Sequence, residues 1–199
     1  DEKARSGIMR SAFLAGFNVR RLINEPTAAA FAYGLEKKRK GIFLVYDLGG
    51  GTFDVSLLKL SDGIFKVLGS SGEANLGGDD FDYLFAKKML MDSLKLDIGK
   101  LDNSDQINIV KQFKVIKEEL SKKNSFQKEI TVNNKKIKIN IHLSDFDNSI
   151  SHLVSKTINI TKDLIKECEI EESKINGFIL VGGSTRLKII KNEIKKTFC

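Results

Sequence analysis

The chain has 199 residues, of which 41% are hydrophobic and 30% are charged. This composition is that of an ordinary globular protein with one large domain or a domain and a half. The formal net charge is +7, but the excess comes from scattered lysines rather than from an arginine-rich cluster, so we expect no nucleic acid as a partner.

Membrane and disulfide-rich classes are also excluded. No apolar run approaches the ~20 residues that cross a membrane. Two cysteines, Cys168 and Cys199, are too few for a zinc site or a disulfide framework. We therefore expect no membrane association and a reducing, cytoplasmic setting. Because the sequence does not start with methionine, we also expect it to be a fragment of a longer protein.

The N-terminal segment is predicted to contain two helices joined by a short strand. Apolar residues at helical spacing predict a helix over 2–16, and a strand is predicted at 19–23. The second helix begins near Pro26, since a first turn tolerates the missing N–H of proline. Proline forces the preceding Glu25 out of helical geometry, so that its carboxylate projects from the helix mouth. An acid favoured by the helix dipole is the alternative explanation.

A strand, a glycine turn and a returning strand form the most informative stretch, after a charged surface connection at 34–41. Residues 42–46 predict a buried strand, and residues 52–58 alternate polar and apolar. The N–H groups of the three intervening glycines form a concavity that suits phosphate. Carboxylates beside them suit a hard cation such as Mg²⁺ carried on that phosphate. The tip carries three polar side chains: Asp47, Thr52 and Asp54. A plain hairpin with a flexible tip is the alternative, but it does not explain a charge at the end of a buried strand.

The middle of the chain predicts a third strand of the meander, then helices and a second hairpin. The predicted elements are a strand at 64–69, a helix from 75 to about 96, a polar loop at 97–104, a helix at 107–120, strands at 128–132 and 135–142 joined by a turn at Asn133-Asn134, and a long amphipathic helix from 144 to Cys168. Gly77 and Gly78 permit close approach of another backbone, although a well-capped helix start also explains them. Ser144 and Asp147 resemble a capping box. The polar side of the 107–120 helix carries Lys114, Lys117 and Ser121.

The C-terminal unit is a buried strand at 177–181, two glycines and a helix to residue 198. This order is typical of an anion or nucleotide platform. It is neither a Walker P-loop nor a G-x-G-x-x-G fingerprint, and by itself it is explained as an ordinary strand–helix turn. Together with the first glycine turn, it predicts two glycine platforms that flank one nucleotide.

Four motifs carry a resemblance to heat shock protein 70 chaperones of the DnaK type. They are Asn24-Glu25-Pro26-Thr27-Ala28-Ala29-Ala30, Asp47-Leu48-Gly49-Gly50-Gly51-Thr52-Phe53-Asp54, Leu76-Gly77-Gly78-Asp79-Asp80-Phe81-Asp82 and Val181-Gly182-Gly183-Ser184-Thr185-Arg186. The resemblance covers the whole chain. It implies an α/β, actin-like (ribonuclease H-like) ATPase fold with ATP between two lobes. Residues 1–40 would end the first lobe, 41–76 with 149–199 would form the core of the second, and 77–148 would be its mobile outer subdomain.

The resemblance also implies residue roles. Catalytic roles fall on Glu25, Asp47 and Thr52, and the Mg²⁺ site, mostly through water, falls on Asp47, Glu25 and Asp54. ATP or ADP would be bound by Gly49, Gly50, Gly51, Thr52, Gly77, Gly78, Lys117, Ser121, Gly182, Gly183, Ser184 and Arg186. Pro26 would relay the nucleotide state to the peptide-binding domain, and J-domain cochaperones would act at Arg21, Asn24 and Thr27.

The sequence departs from the usual pattern of the family at several positions, and the resemblance also implies partners. Lys114 stands where many members carry a glutamate, Glu118 replaces an arginine or isoleucine, and Leu187-Lys188 lacks a proline. The stretch 72–80 resembles the HscA branch, which serves iron–sulfur cluster assembly, so the implied partners are a J-domain cochaperone, a nucleotide exchange factor, client peptide and an iron–sulfur scaffold protein. We expect negligible ATPase activity from the fragment alone. The alternatives are a general protein-folding chaperone, an actin-like or sugar-kinase ATPase, and a non-catalytic docking module.

Overall fold

The computed structural model describes residues 2–35, 40–133 and 135–198. The helices and strands in chain order are α1 (Glu2–Leu14), α2 (Glu25–Ala32), β1 (Lys40–Leu48), β2 (Phe53–Ser61), β3 (Ile64–Glu73), α3 (Gly78–Leu94), α4 (Asn103–Leu120), β4 (Ser125–Val132), β5 (Lys135–His142), α5 (Leu143–Glu167), β6 (Ile175–Val181) and α6 (Lys188–Phe198). Single 3₁₀ turns lie at Ile98–Lys100, Glu172–Lys174 and Gly183–Arg186. The predicted charged connection lies mostly at residues 36–39, outside the described residues, as do Asn134 of the predicted turn and Cys199.

A four-stranded sheet in the order β3-β2-β1-β6 forms the centre of the fold. The strands β1, β2 and β3 are successively antiparallel, which confirms the predicted meander, and β6 runs parallel to β1. Because parallel neighbours end at the same edge of a sheet, Asp47 near the end of β1 pairs with Val181 at the end of β6. The sheet thus places the two predicted glycine turns side by side.

Two apolar clusters lie on opposite faces of β1, as strand alternation requires. Leu44 and Tyr46 belong to the larger cluster, with the buried face of α5. Phe43 and Val45 belong to the smaller cluster, with Ala30 of α2. Asp47 continues the series of Phe43 and Val45, so its side chain lies on the α2 face of the sheet.

A buried hydroxyl network attaches α5 to β1 on the other face. The Tyr46 hydroxyl donates to Thr157 Oγ1 at 2.6 Å, and Thr157 Oγ1 donates to the Val154 carbonyl at 2.7 Å. Burial raises the pKa of Tyr46 to about 12, although the bond to Thr157 opposes this shift. Tyr46 and Thr157 are fully buried, and the network satisfies hydroxyls that would otherwise destabilise the core.

The predicted strand at 19–23 is wrong, because residues 17–24 form no strand. A strand requires a ladder partner, and none pairs with this segment in the part of the chain that the structure describes. Instead, Arg5 of α1 donates to Asn24 Oδ1 at 2.9 Å and to the Leu22 carbonyl at 3.3 Å. The helix α1 has no buried residue, and Phe13 is 75% exposed.

The capping box predicted from Ser144 and Asp147 is also wrong. The helix α5 begins at Leu143, directly after β5, with His142 in the N-cap position and no side-chain cap. The Leu143 N–H donates to the Asn124 carbonyl at 2.8 Å, so the chain enters the helix without a polar cap. Burial raises the pKa of Asp147, and Lys188 opposes this shift.

Helices α3 and α4 and the β4–β5 hairpin form a region beside the main sheet. The Phe85 ring contacts the rings of Phe113 and Phe146 edge-on, both with centroids 5.2 Å apart. The helix α4 starts at Asn103, earlier than the periodicity predicts, because Asp102 Oδ1 accepts from the Asp105 N–H at 2.8 Å and caps it. Over the described ranges, no helix is long and apolar enough to cross a membrane.

Candidate functional site

The β1–β2 hairpin tip sets two carboxylates directly opposite each other. In the ladder Asp47 pairs with Asp54. The Gly49 N–H donates to the Thr52 carbonyl at 3.1 Å and closes the turn. Gly50, Gly51 and Thr52 are exposed at the tip. The exposed tip of the hairpin therefore lies next to a pair of carboxylates.

The start of α3 packs directly on this hairpin. The Gly78 N–H donates to the Gly49 carbonyl at 3.0 Å, and the Asp79 N–H donates to the Gly50 carbonyl at 2.8 Å. A Cβ atom on Gly77 would lie 2.3 Å from the Gly50 carbonyl oxygen. The structure shows both of the explanations for this glycine pair, and the first is close backbone approach. The capping interaction also exists, because Asp80 Oδ2 accepts from the Gly77 N–H at 2.8 Å.

The turn after β6 contacts the same hairpin. The buried Ser184 hydroxyl donates to the Gly49 carbonyl at 2.9 Å. Gly182 has φ 86° and ψ 151°, and a Cβ atom there would lie 2.3 Å from the Leu48 carbonyl oxygen. A 3₁₀ turn follows and α6 begins only at Lys188. The glycines are therefore not followed immediately by the helix N-terminus, which the sequence predicted.

A cleft of about 510 Å³ opens where these three glycine segments meet α4. Its lining combines glycine backbone with cations on several elements: Gly49, Gly50, Gly78, Asp79, Lys114, Lys117, Glu118, Ser121, Lys122, Gly183, Ser184, Arg186 and Leu187. Four of these residues are basic and two are acidic, so the cleft has a net positive lining that suits an anion. Lys122 is a lining residue that sequence reasoning missed, since it follows the end of the predicted helix.

Four predicted nucleotide residues do not line this cleft. Gly77 and Gly182 pack against backbone atoms of the hairpin, so their contribution is close packing. Gly51 and Thr52 lie at the exposed tip of the hairpin. The Ser184 hydroxyl is used within the protein, and Ser121 Oγ donates to the Glu118 carbonyl at 2.6 Å.

A separate acidic pocket of about 290 Å³ lies between the hairpin and the start of α2. Glu25, Asp47 and Asp54 line it together with Pro26 and Asn24. Burial raises the pKa of Asp47, and the charges of Glu25 and Asp54 raise it further. A carboxylate whose ionisation is disfavoured by burial and by two neighbouring charges is in an environment that a cation would stabilise.

The start of α2 differs from the sequence prediction in one detail. The helix begins at Glu25, and Asn24 is the extended residue before it, with φ −66° and ψ 140°. Glu25 is thus the first residue of the helix and not an extended residue before it. The extended geometry lies one residue earlier, at Asn24, and a difference of one residue at a helix end is common. Glu25 is exposed and its charge acts on Asp47, so the carboxylate reaches the acidic pocket from the first turn.

A third cavity, of about 570 Å³, holds the residues predicted to meet a cochaperone. Arg21, Asn24 and Thr27 line it, with apolar side chains from α2 and β3. Pro26, in the first turn of α2, lines the acidic pocket, and Asn24 lines both this cavity and the acidic pocket.

Helical periodicity predicted Lys117 on the polar face of its helix, but the structure buries this lysine. It is 8% exposed, and its Nζ donates to Asp82 Oδ2 at 2.9 Å and to the Gly78 carbonyl at 2.9 Å. Asp82 is 1% exposed. The sequence analysis gave Asp82 no contact in the site, although this aspartate ends the Leu76–Asp82 motif near the start of α3.

Comparison with known proteins gives consistent relatives. A family model described as Hsp70 protein matches residues 1–199. Chaperone protein HscA of Buchnera aphidicola subsp. Schizaphis graminum is 44% identical over 199 residues, which is 100% of this chain and 32% of that relative. The HscA homolog of Rickettsia felis is 43% identical over 198 residues, with 100% of this chain and 28% of the relative covered.

A more distant relative has the same name. The HscA homolog of Burkholderia ambifaria is 38% identical over 199 residues, with 100% of this chain and 32% of the relative covered. The chain therefore spans about a third of the length of the curated relatives it matches. Because the family model covers its whole length, the chain belongs to the Hsp70 protein family.

Proposed function

We propose that this chain is part of the ATP-binding and ATP-hydrolysing domain of a longer molecular chaperone. The observation that carries the proposal is the junction at the Gly49 carbonyl, which accepts from Gly78 N–H and from the Ser184 hydroxyl. This junction brings three glycine segments together between a cationic cleft and an acidic pocket. A nucleotide polyphosphate with its cation requires both environments within one ligand's length.

The Hsp70 family implies the actin-like ATPase fold, and the mixed α/β structure is consistent with it. We assign residues 1–40 to the end of the first lobe, 41–76 with 149–199 to the core of the second, and 77–148 to its outer subdomain. The β4–β5 hairpin forms a sheet of its own, apart from the four-stranded sheet, and this supports the outer boundary. Exposed apolar residues on α1 support the first boundary, because such a helix lacks the core it would need to be stable alone.

The acidic pocket would hold Mg²⁺ through Asp47, Glu25 and Asp54. The fit rests on the raised pKa of Asp47, which a cation would lower. Among the residues whose placement is described, no group of three carboxylate, histidine or cysteine side chains is arranged to ligate a metal directly. This agrees with an ion that keeps several waters and binds through few carboxylates. When bound, the ion would neutralise phosphate charge.

Hydrolysis would use the hairpin tip and the first turn of α2. Asp47 and Glu25 are the acceptors that would orient the attacking water. The Gly49 N–H fixes the Thr52 carbonyl and with it the backbone of the turn, and the hydroxyl of this exposed residue would contact the γ-phosphate. Gly49, Gly50 and Gly51 would cradle the phosphates with backbone N–H groups, which require no side-chain ordering.

The adenosine would occupy the cleft between α4 and the turn after β6. Lys117 and Ser121 lie on one wall, and Gly183 and Arg186 lie on the other. Arg186 is exposed, and its guanidinium plane suits stacking on a base. Lys114 adds a second cation to the α4 wall, so we expect contacts to ribose that differ from those of relatives with an acid there.

Partners follow from the surface around α2 and from the relatives. A J-domain cochaperone would act at Arg21, Asn24 and Thr27, Pro26 would relay the nucleotide state, and an exchange factor would act on the outer subdomain. Client peptide would bind a domain outside residues 1–199. The names of the relatives favour the HscA branch, and with it a cytoplasmic role in iron–sulfur cluster assembly. A general protein-folding chaperone is the second candidate.

Calorimetry of ADP with Mg²⁺ on the full-length chaperone tests the proposal. We expect binding by the natural protein, slowed ATP hydrolysis with preserved binding for Thr52→Val, and negligible turnover by residues 1–199 alone. No ADP binding would favour a non-catalytic docking module, and unchanged turnover of Thr52→Val would refute the role of that hydroxyl. Binding of an iron–sulfur scaffold peptide, compared with an unrelated unfolded client, separates the HscA branch from a general chaperone.

A further inference from the structure

A buried ion pair on the wall of the cleft is unusual because it is poorly suited to stabilise the fold. Lys117 Nζ lies 2.8 Å from Asp82 Oδ1 and donates to Oδ2 at 2.9 Å. Oδ1 has no hydrogen-bond partner of good geometry among the described residues. Replacing such a pair by apolar side chains is often neutral or stabilising.

The charge state of Asp82 leads to the same conclusion. Burial raises its pKa to about 6, although the hydrogen bond and the charge of Lys117 both lower it. The neighbouring Asp79 raises the pKa and Lys114 lowers it. Desolvation therefore disfavours the ionised carboxylate, while the lysine favours it. A buried carboxylate with a raised pKa beside a cleft is a candidate for a functional role.

The geometry of the lysine shows what that function is. Its Nζ also donates to the Gly78 carbonyl at 2.9 Å, next to the junction at Gly49. The ammonium carries three N–H groups, and these bonds direct two of them into the protein. Lys117 nevertheless lines the cleft, and its side chain is 10% exposed. The carboxylate thus holds a long, flexible side chain in one orientation at the ligand surface.

We propose that Asp82 is a positioning residue for the nucleotide cleft. It holds the Lys117 ammonium between α3 and α4, so that the lysine already has its binding orientation before the ligand arrives. The inference rests on the proposed nucleotide function. A lysine that is fixed before binding loses no rotamer freedom when the ligand arrives, and this increases affinity. Asp82 itself is not expected to touch the ligand, since Lys117 lies between it and the cleft.

The alternative is that the pair only ties α3 to α4. A mere tie predicts lower thermal stability for variants, with unchanged ADP affinity in the folded protein. Positioning predicts weaker ADP binding that depends on Lys117 being present. The two explanations therefore differ in a double-mutant cycle.

The test measures the Kd of ADP with Mg²⁺ by calorimetry on the full-length chaperone. We expect Asp82→Asn to weaken binding about tenfold, a difference of ~1.4 kcal/mol, and we expect the same change to have no further effect once Lys117→Met is present. Asp92→Asn is the matched control, because Asp92 lies on the same helix and pairs with Lys88 at the surface. This control should leave the affinity unchanged.

A second variant protects the test against misfolding. Asp82→Leu combined with Lys117→Met replaces both charges by apolar groups, and we expect it to melt at or above the temperature of the natural protein while binding ADP more weakly. Natural affinity in this double variant, or in folded Asp82→Asn, would overturn the proposal. A natural chaperone that binds no ADP would overturn the proposed function as well, and it is recognised because the signal is lost before any substitution is made.

Discussion

Gly182 lies at the contact between the turn after β6 and the end of β1, and Gly182→Ala would disturb this contact in two ways. The backbone has φ 86° and ψ 151°, a region occupied almost only by glycine that costs ~1–3 kcal/mol for other residues. The new Cβ would lie 2.3 Å from the Leu48 carbonyl oxygen, and a backbone atom cannot rotate away. The two effects together predict a loss of at least about 3 kcal/mol in the free energy of unfolding.

Gly183→Ala is the matched control, because a Cβ atom there meets nothing within 4 Å. Thermal unfolding of the full-length protein without nucleotide, followed by circular dichroism, measures both variants. A loss of that size lowers the melting temperature of a domain of 150–250 residues by roughly 6–12 °C, whereas the control should stay within about 0.5 kcal/mol of the natural protein. Equal stability of the two variants would show that Gly182 does not pack closely against the Leu48 carbonyl at the end of β1.

Four further substitutions test hydrogen bonds and charges in the site and in the core. The raised pKa of Asp47 means that its ionised form is disfavoured in the fold, so without metal we expect stability to fall as pH rises above the ordinary carboxylate pKa. We expect Mg²⁺ to raise the melting temperature more at pH 7 than at pH 5. Asp54→Asn should weaken both the pH dependence and the Mg²⁺ effect, as measured by thermal shift. A melting temperature that does not change with pH would contradict the acidic pocket. Tyr46→Phe should lower the free energy of unfolding by about 1 kcal/mol, and Thr157→Val should lower it more, by up to ~3 kcal/mol. Only Thr157→Val leaves a buried hydroxyl, that of Tyr46, without a partner. Urea denaturation that gives the reverse order would refute the network. Ser184→Ala should cost ~0.5–1.5 kcal/mol, because the Gly49 carbonyl keeps the Gly78 N–H, and a larger loss in the same assay would mean that the hydroxyl has a further role.

Sequence patterns correctly predicted the helices and strands that depend on neighbouring residues alone. The alternation at 52–58 and the apolar run at 42–46 gave the hairpin, and the apolar stripe that includes Phe146 gave the long helix. The segment 19–23 failed because strand formation depends on a partner elsewhere in the chain. The capping box at Ser144 failed because β5 leads directly into the helix.

The candidate site shows the same division between local and distant causes. Asp47 and Asp54 lie opposite each other because they flank a short turn, and a hairpin pattern is enough to expect that. The pairing of Asp82 with Lys117 joins residues 35 positions apart, and only the packing of α3 on α4 brings them together. Periodicity placed Lys117 on a polar face, since a pattern cannot distinguish a lysine in water from one that faces a buried carboxylate.

The junction at the Gly49 carbonyl is composed mostly of backbone atoms, and this has a consequence for how the protein can evolve. No point substitution removes a carbonyl oxygen, so sequence drift cannot delete the acceptor that Gly78 and Ser184 share. Selection there acts instead by exclusion, against any side chain at Gly77 or Gly182. An engineer who wishes to alter the proposed nucleotide binding would therefore change side chains on the α4 wall, where Lys117 contributes to affinity, and would leave the glycine positions unsubstituted.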